Sequence, residues 1–193
     1  MPSYLLIGRS GVGKSSFVNS FFGASLAPIS HVDACTTDVE EYPPKGFAGL
    51  KTSMRLLDTP GLMEGDESKD DAYLKRIAER LRHISIDGVI FVAELGTRFR
   101  PVDIDFLGKI TRTLGPPIWN SAWLALTRAA EVPWEIRDER TEVFVTEITS
   151  CLINATGGPN SLRRFRGFRK VLLVDNVVDK WTEGTRPLAT FFQ

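Results

Sequence analysis

Apolar residues in this chain fall into short runs, separated by longer stretches in which they recur every three or four positions. Tyr4 to Ile7, "YLLI", is a compact apolar run closed by Gly8, the pattern of a buried strand feeding a loop. "KSSFVNSFFG" then has helical spacing, with Phe17, Phe21 and Phe22 on one face and Gly23 as its stop. Residues 24–36 are polar, are broken by Pro28, and read as a loop. Two strands are predicted in "TDVEEY" and "SMRLLD", joined by the Pro- and Gly-rich "PPKGFAG". After a loop and acidic stretch at 61–70 comes a helix in which Leu74, Ile77, Leu81 and Ile84 repeat. "DGVIFVAEL" is almost continuously apolar, as suits the middle of a parallel sheet. Pro101 opens a helix with Val102, Phe106 and Ile110 on one side. "SAWLALT" is the next strand, and residues 134–155 form a long helix with Phe144, Ile148, Cys151 and Leu152 inward. "KVLLVDN" is the last strand, and "RPLATFF" is a candidate for a final helix.

Strands alternating with helices predict an α/β fold of three layers. It has about six strands in a mostly parallel sheet and helices on both faces. The pair within residues 37–57 is the exception, because its link is too short for anything but an antiparallel pairing.

Composition narrows the classes. The 193 residues suit one domain, residues 1–193, with 42% hydrophobic and 25% charged residues. Net charge is zero, so there is no electrostatic case for DNA or an anionic membrane as partner. Cys35 and Cys151 lack metal-ligand spacing and read as reduced thiols. No apolar run reaches the ~18–20 residues that span a bilayer, and no signal peptide is evident. A cytoplasmic location is expected, with the cytosolic face of a membrane reached only through a missing tail or a partner. The chain opens on a strand and closes on "LATFFQ", which suggests a domain excised from a longer chain.

"GRSGVGKS", Gly8 to Ser15, satisfies G-x-x-x-x-G-K-[ST]. Glycines let successive N–H groups point at one anion, and the helix that follows adds its positive end. Lys14 reaches toward the β- and γ-phosphates and the Ser15 hydroxyl is a Mg²⁺ ligand. The candidate phosphate contacts are Arg9, Ser10, Gly11, Val12, Gly13, Lys14, Ser15 and Ser16. In "LLDTPG", Asp58 at a strand end can hold Mg²⁺ and the Gly61 N–H can sense a γ-phosphate. Between the two, "ACTTDVEEY" offers a threonine to close over the nucleotide, its hydroxyl on Mg²⁺. Thr37 is the first choice and Thr36 the fallback. Lys14, Thr37 and Gly61 are the candidate catalytic groups around the γ-phosphate.

These boxes resemble the translation-factor-related P-loop GTPases. "DTPGLMEG", "DGVIFVAELGTRFRPVDIDFLGKI", "GPPIWNSAWLALTRA" and "VLLVDN" are similar to the septin-related branch. That branch contains the immunity-associated (avirulence-induced) GTPases and the GTPase receptors of chloroplast outer-envelope import. The resemblance covers nearly the whole chain and implies a P-loop GTPase domain that binds GTP or GDP with Mg²⁺. At base recognition, "TRAA" stands where many GTPases carry N-K-x-D. The branch often has Thr-His-Ala there, so Arg128 takes the histidine's place and can stack its guanidinium on guanine. Base reading then falls to Asp175 and Asn176, matching an acidic-Asn pair of the family.

Leu62 follows Gly61 where Ras-type enzymes place a water-orienting glutamine, so intrinsic hydrolysis is expected to be slow. In similar proteins two such domains pair across their nucleotides as homodimers or heterodimers, and an arginine approaches the partner's phosphates. "GTRFRP" offers Arg98 and Arg100, with Arg100 preferred as the catalytic arginine. "LRRFRGFRK", Leu162 to Lys170, is either a solvated loop or a surface for RNA, acidic partners or lipid headgroups. His31 and His83 are isolated, Asp66 to Asp71 caps a helix, and Trp119, Trp123 and Trp134 fill the core or edge an interface. Three functions remain open: a slow GTPase switch, a nearly inert nucleotide-bound dimerisation module, and an RNA-associated GTPase.

Overall fold

The computed structural model describes residues 1–29, 36, 38–43, 54–62, 67–158, 160–161 and 165–175. Six strands form one sheet in the order β2-β3-β1-β4-β5-β6: β1 (Ser3–Ile7), β2 (Glu40–Tyr42), β3 (Arg55–Asp58), β4 (Gly88–Glu94), β5 (Ala122–Thr127) and β6 (Lys170–Val174). All neighbouring pairs are parallel except β2 with β3. Four helices are described: α1 (Lys14–Phe22), α2 (Glu67–Leu81), α3 (Pro101–Leu114) and α4 (Trp134–Ala155). The expected α/β architecture, six strands with one antiparallel pair and helices on both faces, is the one found.

The two-residue alternation of the central strands builds two cores. Leu5 and Ile7 of β1, Val89, Phe91 and Ala93 of β4, and Leu124 and Leu126 of β5 face α2, α3 and α4. Leu6, Ile90, Val92, Trp123 and Ala125 face the opposite way and meet Phe17, Val18, Phe21 and Phe22 of α1. A strand buried on both faces leaves no polar alternation to see, which is why "DGVIFVAEL" reads as a continuous run.

Two expectations shift. Val102 is 43% exposed, and the inward stripe of α3 is instead Asp103, Phe106, Leu107, Ile110 and Thr111. Asp103 turns toward the sheet's edge, and at about 100° per residue that choice carries Val102 outward. Trp119 and Trp123 are buried, whereas Trp134 at the start of α4 is exposed. Trp119 sits in a 3-10 turn (Pro116–Ser121), where its Nε1–H donates to Thr111 Oγ1 at 2.9 Å and its ring meets Phe91 edge-on. The aromatics of the basic tract belong to the core as well: Phe165 is buried against Phe168, with centroids 4.9 Å apart. Residues 162–164, His31, Cys35, Asp66 and "RPLATFF" lie outside the described residues.

Candidate functional site

The parallel strands all end on one edge, and the strand order reverses between β3-β1 and β1-β4. In open α/β sheets such a reversal opens a ligand crevice at the carboxyl ends. The glycine-rich loop crosses it. Gly11 and Gly13 have φ of 76° and 91°, values that a side chain disfavours, and α1 begins directly after Gly13. Lys14 is buried and its Nζ donates to the carbonyls of Gly8 and Arg9 at 3.1 and 2.9 Å. The ammonium thus lies across the mouth of the loop, where phosphate oxygens would meet it. Ser16 is half-buried in the first turn of α1.

Beside the loop, Asp58 ends β3 fully buried. Its Oδ2 accepts from Ser15 Oγ at 2.8 Å and from Thr36 Oγ1 at 3.3 Å, and its Oδ1 accepts the Thr59 N–H at 3.0 Å. Burial pushes the Asp58 carboxyl up from the ordinary value, against the pull of Lys14 and these hydrogen bonds. One carboxylate and two hydroxyls converging next to a phosphate cradle are hard oxygen donors, the set that suits Mg²⁺. The residues present therefore fit the metal. Thr36 is the threonine in this group; Thr37 lies outside the described residues.

Gly61 closes the other side. A Cβ built on it would stand 2.7 Å from Ser10 Cα, so only glycine lets this segment lie against the loop. The Ser10 N–H donates to the Leu62 carbonyl at 2.8 Å, and Arg9 bridges to Leu62. Ser10 thus joins the loop to the Gly61 segment. The Leu62 side chain is fully buried in the core, turned away from any water.

A further corner gathers the ends of β4, β5 and β6. Arg128 adopts φ 54° and ψ 33°, the sole described non-glycine residue with positive φ, and its guanidinium pairs with Glu94 at 3.5 Å. The Ala130 N–H donates to Asp175 Oδ1, which ties the end of β6 to this turn. Asp175 thereby lies at the Arg128 turn, while Asn176 lies outside the described residues.

Arg100 immediately precedes α3, and its side chain is 52% exposed. Arg9, Ser10, Gly11, Val12, Arg98 and Arg100 share the lining of one cleft of about 440 Å³. Both candidate arginines are therefore beside the phosphate loop.

Sequence reasoning missed the residues that lock these pieces together. Thr127 Oγ1 donates to the Val12 carbonyl at 2.7 Å, linking β5 to the phosphate loop, and Thr59 Oγ1 donates to the Leu6 carbonyl at 2.7 Å. Asn19 holds the loop beyond α1 through bonds to Leu26 and Ala27. Their only sequence signal is a polar residue inside or beside an apolar run.

The chain is 32% identical over 178 residues to translocase of chloroplast 34 from Arabidopsis thaliana, a match covering 89% of this chain and 54% of that protein. It spans from under a tenth to about half of the curated relatives it matches first. Among solved structures, Toc33 from Arabidopsis thaliana in complex with GDP and Mg²⁺ superposes with a TM-score of 0.73 at 23% identity, covering 91% of this chain and 70% of that one. A structure described under the statement that dimerization is important for the GTPase activity of the chloroplast translocon components atToc33 and psToc159 gives a TM-score of 0.71 at 24% identity. It covers 91% of this chain and 70% of its own. A family model described as a 50S ribosome-binding GTPase matches residues 3–121. That match takes in the phosphate loop, Asp58, Gly61 and the arginines before α3, and with more than half of the 193 residues inside it the chain belongs to this GTPase family.

Proposed function

We propose that residues 1–193 are one G domain that binds GTP with Mg²⁺, hydrolyses it slowly to GDP and phosphate, and uses the nucleotide to control pairing with a second copy or a related partner. The observation that carries this reading is the convergence of Ser15, Thr36 and Asp58 oxygens beside a glycine loop closed by Lys14. Bound there, Mg²⁺ would supply positive charge to offset the negative charge of the phosphates. Ser15 and Asp58 hold the metal, with Thr36 or Thr37 closing over it, and the loop from Arg9 to Ser16 cradles the phosphates. Gly61 lies where a γ-phosphate would be felt, and its tie to Ser10 carries that signal into the loop. Arg128 stacks on the base, while Asp175 and Asn176 read its edge.

Slow turnover follows from Leu62. A side chain buried in the core cannot orient an attacking water, so the missing group must come from elsewhere. Arg100 would act across a paired copy, a role its exposure beside the phosphate loop supports. The dependence of GTPase activity on dimerisation stated for atToc33 and psToc159 supports this use of it. Among the described residues no helix is long and apolar enough to cross a membrane.

Purified protein with GTP and Mg²⁺ should release phosphate, and Lys14→Ala should abolish release; unchanged release in that variant refutes the assignment. Competition between GTP and ATP tests the guanine reading. The buried Leu62 also favours a second reading, in which the nucleotide is a fixed part of a dimer interface and turnover is negligible. Light scattering with GDP and then with a non-hydrolysable GTP analogue separates the two when paired with a turnover assay.

A further inference from the structure

Three guanidinium groups, those of Arg9, Arg98 and Arg100, border the cleft between the phosphate loop and α3, and Asp103 stands among them. Asp103 is nearly buried, with its side chain 10% exposed, and it serves two elements at once. Oδ2 accepts the backbone N–H of Arg100 at 2.7 Å and lies 3.6 Å from Arg100 Nε. Oδ1 accepts from Arg9 Nη1 at 3.0 Å, a contact between residues 94 positions apart in the chain. A helix cap at the third position needs only the first of these bonds. The second reaches the phosphate loop, at a residue whose carbonyl accepts from Lys14 Nζ.

We propose that Asp103 is a positioning residue. It fastens the phosphate loop to the arginine-bearing start of α3, so that Arg9 and Arg100 keep fixed places relative to a bound triphosphate. Two guanidiniums drawn to one carboxylate do not swing independently toward phosphate, and the long, half-exposed Arg100 side chain gains a preferred direction. The phosphate part of this inference rests on the function proposed above; the fastening itself does not.

Asp103→Asn keeps an oxygen able to accept the Arg100 N–H but removes the charge that pairs with both arginines. With GTP, kcat should fall about fivefold or more while KM stays within about twofold, the split expected of a group that acts on the transition state. Adding Asp103→Asn to Arg100→Ala, or to Arg9→Ala, should cause no further loss in whichever arginine variant lies on the same route. A wild-type kcat in Asp103→Asn, or a loss that multiplies fully with both arginine variants, overturns the proposal. Should Asp103→Asn fail to fold, Asp103→Glu and Asp103→Gln repeat the comparison, since both fit the capping position and only Glu keeps the charge. Equal kcat in those two would overturn it equally. A double-mutant cycle of Arg9 and Asp103 on thermal unfolding without nucleotide should show coupling, and its absence removes the fastening. Wild-type protein that released no phosphate would sink the GTPase reading, while this cycle still decided the pairing.

Discussion

Thr127→Val tests whether the end of β5 stabilises the phosphate loop. Thr127 is fully buried, and its Oγ1 lies 2.7 Å from the Val12 carbonyl and 3.2 Å from that of Ala93. A hydroxyl has one proton, so the shorter bond to Val12 is the one it principally makes. Valine keeps the volume and the β-branch, leaving packing and strand preference in place. What is lost is one buried hydrogen bond, about 1 kcal/mol, with about 1 kcal/mol more for a carbonyl deprived of its donor. For a domain of this size about 2 kcal/mol lowers Tm by roughly 4–8 °C. Loosening Val12 also disorders a loop that must be organised before it can hold phosphate. If about 1 kcal/mol of that cost falls on binding, the Kd for GDP rises about fivefold. Calorimetric unfolding and titration with GDP and Mg²⁺ measure both effects. Thr111→Val is the control, because Thr111 is equally buried and hydrogen-bonded, to Leu107 and Trp119, but lies far along α3. It should lower Tm and leave nucleotide affinity alone. A Thr127→Val protein with unchanged Kd, or a Thr111→Val protein weakened as much toward GDP, would refute the link from β5 to the loop.

Gly61→Ala places a Cβ 2.7 Å from the Ser10 backbone, so the contact must open by roughly 0.7 Å at an overpacking cost of about 1–3 kcal/mol. The Ser10–Leu62 bond should break, and the ratio of GTP-analogue to GDP affinity, measured by titration, should collapse toward one. Asp58→Asn replaces a carboxyl whose charged form burial penalises, so the metal-free protein should hold or raise its Tm. The gain in Tm that Mg²⁺ with GDP gives the wild type, read with and without chelator, should vanish in that variant. Arg128→Gly removes a side chain from a left-handed backbone position and should stabilise the fold by about 1 kcal/mol, while the preference for GTP over ATP falls. Loss of stability there would show that the Glu94 pairing outweighs the backbone strain.

The elements were legible where one period dominates. The strands through Leu5, Phe91 and Leu124 and the helix through Phe144 and Ile148 carry unmixed signals, and they lie where the pattern puts them. The phosphate loop was legible because its requirement is local: glycines at fixed spacing, then lysine and serine. Val102 was misplaced because an apolar residue at a helix's first turn can project past the sheet it would otherwise cover. Thr127, Asn19 and Asp103 were invisible as site residues for a different reason. Each acts on a partner distant in sequence or on backbone carbonyls, which leave no trace in the pattern of side chains.

Most of the residues that lock the site together share a position as well as a kind. Thr59 and Thr127 follow or end strands at the carboxyl edge, Glu94 ends β4, and Asp103 lies in the first turn after the β4–α3 loop. At that edge the ladder hydrogen bonds stop while the chain is still buried, so side chains must satisfy the carbonyls that the next strand no longer reaches. Threonine does so at Leu6 and Val12, and the carboxylates of Glu94, Asp103 and Asp175 tie down Arg128, Arg9 and the Ala130 N–H. The same bonds fix Arg128, the one non-glycine residue with positive φ among the described residues, whose left-handed conformation costs about 1–2 kcal/mol and persists only where its neighbours over-determine it. The described loop segments of the crevice are thus tied together by the protein's own bonds. Binding then spends little on ordering those segments, and the half-exposed Arg100 at the rim is held toward Asp103 along with them. The arrangement favours a G domain whose phosphate loop is ordered ahead of its nucleotide.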